Sequence, residues 1–115
     1  MINKLNFCQN SPAFGAKLNI HGGGSYKDLC DQDLVDFIKV ADKIGNDRDK
    51  IDIYVSSLYK NELGEYDRDF ETKAIIGNKL IRDNVTQNYE TVLYSPASAI
   101  YKYLETMAKL YPKKD

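Results

Sequence analysis

Two residues, Gly77-Asn78, constrain this chain more than any other pair. They join two runs that can both alternate as strands, and a two-residue hairpin turn fixes the register of everything beside it. Glycine supplies the positive φ of the first central position, so a type II′ turn is expected. That turn sets Ile76 opposite Lys79, Ile75 opposite Leu80, Ala74 opposite Ile81 and Phe70 opposite Val85. Opposed residues share a face. One face then holds Phe70, Ala74, Ile76, Ile81 and Val85, with Thr72 and Asp83 between them. The other holds Asp69, Glu71, Lys73, Arg82 and Asn84. The register thus separates a core face from a solvated one, which supports the hairpin independently of its turn dipeptide. Lys73 opposite Arg82 is mildly unfavourable, and a solvated face tolerates it.

A hairpin is not stable alone and needs further strands or a helix on its apolar face. The rest of the chain offers both. Phe14, Ala16, Leu18 and Ile20 alternate with Gly15, Lys17 and Asn19 as in a half-buried strand, and Ile51, Ile53 and Val55 alternate with Asp52, Tyr54 and Ser56 in a second. The run from Tyr66 to Ile76 enters the hairpin. Between the first two strands, Leu34, Val35, Phe37, Ile38, Ala41 and Ile44 recur at helical spacing. Asp31 suits the N-cap, Asp33 the first turn and Gly45 the C′ position. Asn46 to Lys50 reads as a charged turn, and Lys60 to Glu65 as a loop. Ser95-Pro96 reads as N-cap and first helical residue. Ala97, Ile100, Tyr101, Leu104, Met107, Ala108 and Tyr111 then follow the helical template until Pro112. The stretch Tyr89 to Tyr94 fits either a short strand or an approach to that helix. The expected architecture is α+β: a short antiparallel sheet with two amphipathic helices on one face, in the order β-α-β-β-β-(β)-α. Residues 1–12 form a polar N-terminal tail, 13–112 one domain and 113–115 a C-terminal tail.

The segment Asn10-Ser11-Pro12-Ala13-Phe14-Gly15-Ala16-Lys17-Leu18 resembles the start of small uncharacterised proteins of uncultured gut bacteria. There a Pro-Ala-Phe-Gly-Ala-Lys-Leu-like stretch precedes a compact domain. The resemblance covers about nine residues and implies no activity.

Charge narrows the choice of partners. Sixteen basic residues against 17 acidic ones give no general attraction to phosphate backbones, and Lys109, Lys113 and Lys114 are the one basic cluster. No nucleic-acid partner is expected. No apolar run reaches the ~20 residues that cross a bilayer, and Met1 to Asn10 lacks the apolar region of a secretory signal. A membrane partner is therefore not expected, and two reduced thiols, Cys8 and Cys30, point to the cytoplasm. A disulfide between them stays open.

Four candidate chemistries follow from local motifs. His21-Gly22-Gly23-Gly24 resembles the oxyanion-hole segment of lipases, but that chemistry needs a nucleophile elbow and a second histidine, and His21 is the chain's one histidine. The same loop, His21, Gly22, Gly23, Gly24 and Ser25, could cradle an anion with Lys27 as counter-charge. A flexible connection is the plainer reading. Asp47, Asp49 and Asp52 lack the glycine and glutamate of a calcium loop and read as a solvated turn. His21 with Cys8 or Cys30 has no mark of an activated thiol. No metal or cofactor is expected.

Nine tyrosines with no tryptophan remain. Tyr54, Tyr59, Tyr66 and Tyr103 lie outside or at the margin of the apolar stripes, and tyrosine is enriched at recognition surfaces. The expectation is a non-catalytic module that binds another protein through these rings, and a further reading is self-association as a homodimer held through an exposed sheet edge or the tail. The alternative is a small anion- or nucleotide-handling enzyme built on the His21–Ser25 loop.

Overall fold

The computed structural model describes residues 15–22, 29–88 and 96–113. Their architecture is α+β, with five strands and two helices. β1 (Lys17–Gly22), β2 (Lys50–Val55), β4 (Tyr66–Ile76) and β5 (Lys79–Gln87) lie side by side in that order, and β3 (Tyr59–Lys60) pairs with the start of β4. α1 (Asp31–Ala41) connects β1 to β2, and α2 (Ala97–Leu110) follows β5.

The hairpin register is the expected one at every position from Ile76↔Lys79 to Phe70↔Val85, and it continues to Arg68↔Gln87. The turn type differs. Gly77 and Asn78 both have positive φ, 57° and 69°, which is type I′. Asparagine tolerates the left-handed region well enough to fill the second position. The sheet is also mixed, not purely antiparallel, because β1 runs parallel to β2. Parallel neighbours need a long crossover, and the segment containing α1 supplies it.

The first strand is displaced relative to its expected span. It continues through His21 and Gly22, which belong to β1 and not to a loop. Ala16, Leu18 and Ile20 are buried as expected, while Phe14 lies outside the described residues. The helix ends also shift. Cys30, not Asp31, is the N-cap of α1, and its N–H donates to the Asp33 carboxylate at 3.0 Å. Cys30 is an exposed free thiol. α1 stops at Ala41, so Ile44 is buried as part of a bridge to Pro112 rather than on a helical face. Gly45 takes a positive φ, but it lies beyond the C-cap Asp42. Pro96 occupies the N-cap of α2, one place earlier than its expected role, and Ser95 and Tyr89 to Tyr94 lie outside the described residues.

One continuous core joins both helices to one sheet face. Leu34, Phe37 and Val40 from α1 and Ile100, Leu104 and Met107 from α2 meet Leu18, Ile20, Ile51, Ile53, Phe70 and Ala74. Val35 and Tyr101 face solvent instead of this core, at 42% and 40% exposure. The core thins toward β5, where Ile76 and Ile81 are half-buried and Val85 is 44% exposed. Toward the start of β4 the same face turns polar, with Arg68 at 2% exposure beside Gln87 at 8%.

The turn before β2 is not the solvated one expected from its charges. Asp49 is buried at 4% exposure. Its carboxylate accepts the Asn46 N–H at 2.9 Å and the Gly77 N–H at 3.0 Å, and its carbonyl accepts the Lys17 N–H at 2.9 Å. One side chain thus ties the turn to the hairpin tip, while its backbone ties the turn to β1. Gly45 permits this closeness, since a Cβ there would collide with the Asp49 carboxylate.

Candidate functional site

Both helices occupy one face of the sheet, and among the described residues no element covers the other. Cross-strand pairing arranges this outer face in rows. Lys17, Lys50, Ile75 and Leu80 form the first, and Asn19, Asp52, Lys73 and Arg82 the second. His21, Tyr54, Glu71 and Asn84 form the third. Ser56, Asp69 and Thr86 form the fourth, and Tyr59 beside Asp67 closes the far end. Basic side chains dominate the first two rows and acidic ones the last three.

Two small networks hold this surface in shape. His21 Nε2 lies 3.1 Å from Asp52 Oδ1, and its ring stacks on Tyr54 with centroids 4.4 Å apart and planes 12° from parallel. This contact exists because β1 and β2 run parallel, which brings His21 opposite Tyr54. In the second network, Asp69 Oδ1 accepts the Tyr59 hydroxyl at 2.8 Å and the Thr86 hydroxyl at 2.7 Å. The Asp69 N–H donates to Ser56 Oγ at 2.9 Å. The hydrogen bond to Asp69 raises the pKa of Tyr59 above its ordinary value, with burial and the Asp69 and Asp67 charges acting in the same direction. Tyr59 therefore remains a neutral donor. A concavity of about 520 Å³ opens between the networks, lined by Tyr54, Val55, Ser56, Asp69, Glu71, Asn84 and Thr86. A smaller one of about 160 Å³ adjoins it at Tyr54 and Glu71 and is bounded by Lys73 and Arg82.

The four expected tyrosines do not form one patch. Tyr54 and Tyr59 share the outer face, each 40% exposed. Tyr66 points to the opposite face at the edge of the sheet, where Lys60 Nζ sits 5.6 Å from its ring centroid. Tyr103 is half-buried on α2 against the core. Its hydroxyl has no hydrogen-bond partner by distance and angle, although Thr72 lies near enough to lower its pKa slightly. Burial is the larger influence and raises that pKa overall, with Asp83 and Tyr111 adding to the rise.

The glycine loop is also divided. His21 and Gly22 are strand residues, and His21 is already engaged by Asp52 and Tyr54. Gly23, Gly24, Ser25 and Lys27 lie outside the described residues. Asp47, Asp49 and Asp52 do not converge, because Asp49 is buried under the hairpin tip and Asp52 faces His21. A third concavity, about 330 Å³, lies between that tip and the end of α2. Its carboxylate is Asp49, both of whose oxygens already accept backbone N–H groups.

Comparison with protein-family models, with curated proteins and with solved structures finds no match to this chain. Sequence reasoning placed Asp69, Glu71, Lys73, Arg82 and Asn84 on a solvated face. It missed Ser56 and Thr86 as partners of Asp69, and His21 as a neighbour of Tyr54. The hairpin register was a usable signal for Thr86, which it sets opposite Asp69. The strand–helix–strand order from β1 through α1 to β2 was a usable signal for parallel neighbours, and with it for His21 beside Tyr54.

Proposed function

We propose that this chain is a non-catalytic interaction module that binds protein through the outer face of its sheet. The observation that carries this reading is an outer face that no described element covers, with the exposed Tyr54 ring at its centre beside a concavity of about 520 Å³. Tyrosine combines a broad apolar face with one polar tip, so it gains contact area at low entropic expense and suits surfaces that are wet when free and covered when bound. The Asp69 and His21 networks hold neighbouring side chains in place before any partner arrives, which reduces the ordering lost on binding. The mixed polar and apolar lining of the concavity matches the composition of transient interfaces more than a predominantly apolar ligand pocket.

The test is site-specific photo-crosslinking in cells that make the protein. A photoreactive residue at Asn84 should give discrete protein adducts, and one at Glu105, on the exposed side of α2, should not. Tyr54→Ala in the Asn84 background should abolish the adducts while leaving the circular dichroism spectrum unchanged. Equal adducts from both positions, no adducts, or adducts indifferent to Tyr54 would each sink the reading.

A further inference from the structure

The charges of the outer face are segregated along the strands. Lys17, Lys50, Lys73 and Arg82 occupy the first two rows. Asp67, Asp69 and Glu71 follow one another at alternate positions of β4 in the last three. Asp52 is the exception, and His21 engages it. The face therefore carries equal numbers of basic and acidic residues but has a positive end and a negative end. A partner of uniform charge is attracted by one end and repelled by the other. The complementary surface is one with the same two ends in reversed order.

A second copy of this chain offers that surface. Turned by a two-fold axis that lies in the plane of the sheet and crosses the strands, its acidic end covers the basic end of the first. A two-fold along the strands would instead stack like on like, so the charge pattern selects one symmetric arrangement. Such an interface is isologous, as closed dimers require. Strands of 6, 6, 11 and 9 residues, at about 3.3 Å per residue and about 4.8 Å apart, give on the order of 1,000 Å² buried over two copies, the least that a specific interface needs. Ile75 and Leu80, 40% and 51% exposed in the first row, supply apolar contact at its margin.

We infer that the partner of this face is a second copy of the chain, joined face to face so that Lys73 and Arg82 of one copy meet the acidic end of β4 in the other. This rests on the outer face being the interaction surface. One alternative route to self-association, pairing of the β5 edges, is opposed by the sequence. The hairpin geometry directs the backbone groups of Leu80, Arg82, Asn84 and Thr86 away from β4, so antiparallel edge pairing allows two-fold registers centred on single residues. The central ones set Arg82 against Arg82 or Asp83 against Asp83, a common protection of edge strands.

The experiment is sedimentation equilibrium on the full chain at low salt, with two charge-reversed variants. Wild type should show twice its 13.1 kDa mass, and its dissociation constant should rise at least tenfold between about 0.05 and 0.5 M salt as exposed charges are screened. Lys73→Glu with Arg82→Glu makes the face predominantly acidic, with Lys17 and Lys50 remaining, and Glu71→Lys with Asn84→Lys cancels the net negative charge of its acidic end. Each variant should be monomeric alone, and an equimolar mixture should form the heterodimer. Circular dichroism identifies a variant that has merely unfolded, and rescue in the mixture cannot arise from unfolding. A monomeric wild type, a mixture that stays monomeric, or a dimer that both variants retain would overturn the inference. If wild type is monomeric while Tyr54-dependent crosslinks to another protein persist, the binding face stands and only its proposed occupant falls.

Discussion

Asp49→Ala should be among the most damaging single substitutions on this chain's polar residues. The carboxylate accepts two backbone N–H groups, from Asn46 at 2.9 Å and Gly77 at 3.0 Å, and is itself 4% exposed. Hydrogen bonds to a charged group contribute about 1.5–3 kcal/mol each, so loss of both sets a ceiling near 6 kcal/mol. Two facts lower it. Gly77 is exposed and Asn46 half-exposed, so water reaches both orphaned donors once the side chain is gone. The expected loss is then about 2–4 kcal/mol, and Asp49→Asn, which keeps one acceptor, should lose roughly half of that. For a domain near this size the alanine change should lower Tm by roughly 10–20 °C. Urea unfolding followed by circular dichroism measures the global loss. Amide hydrogen exchange at Gly77 measures the local one, and it should accelerate more than exchange in the middle of β2. A loss below about 0.5 kcal/mol, the size of an ordinary surface change, would refute the idea that this side chain clamps the hairpin tip to the turn.

Two further outcomes follow from the same reasoning. Gly45→Ala combines a φ of +54° with a collision against the Asp49 carboxylate. It should destabilise by about 2–4 kcal/mol alone but by only about 1 kcal/mol in an Asp49→Ala background, a coupling that a double-mutant cycle detects. Tyr103 has its pKa raised above 10.0 in the folded chain, chiefly by burial. Below that value both states keep the proton and nothing changes. Above it the unfolded chain releases the proton first, so stability falls as pH rises toward the folded value. Tyr103→Phe should therefore be near neutral at pH 7, since the hydroxyl has no hydrogen-bond partner by distance and angle. It should lose less stability than wild type above pH 10, as read by urea midpoints across that range.

What was legible in the sequence was whatever local pattern determines. The hairpin register was readable because a two-residue turn leaves no freedom, and the stripe of α2 because Ile100, Leu104 and Met107 have one face to bury. The turn type was missed because Asn78, like glycine, can enter the left-handed region, which allows I′ as well as II′. Ile44 and Gly45 looked like a helix end because their spacing fits one. Their actual places are set by Pro112 and Asp49, contacts that periodicity does not encode. Asp49 looked solvated for the same reason, as one of its donors comes from Gly77 in a distant hairpin. For the candidate site, composition pointed to tyrosine and β-strand alternation pointed to the polar face. Which tyrosines share that face depended on strand neighbours. Tyr66 and Tyr103 fell away because strand parity and the α2 core decide their direction, not their exposure in a sequence-based reading.

The outer face also departs from what folding alone favours. Lys17 is paired with Lys50 and Lys73 with Arg82, so two cross-strand pairs set like charge beside like. Asp67, Asp69 and Glu71 repeat the fault along β4. Directly opposed like charges are destabilising, by something on the order of the 0.2–1 kcal/mol that favourable pairs contribute. Arg82→Glu would set opposite signs across the Lys73 pair without changing core or turn. A face selected only for solubility gains from that interspersion. Local choices that oppose the stability of the fold concentrate where a surface has another task. The proposed contact with a surface of reversed polarity would account for this segregation of charge, and the hairpin register that creates the core face also creates the segregation.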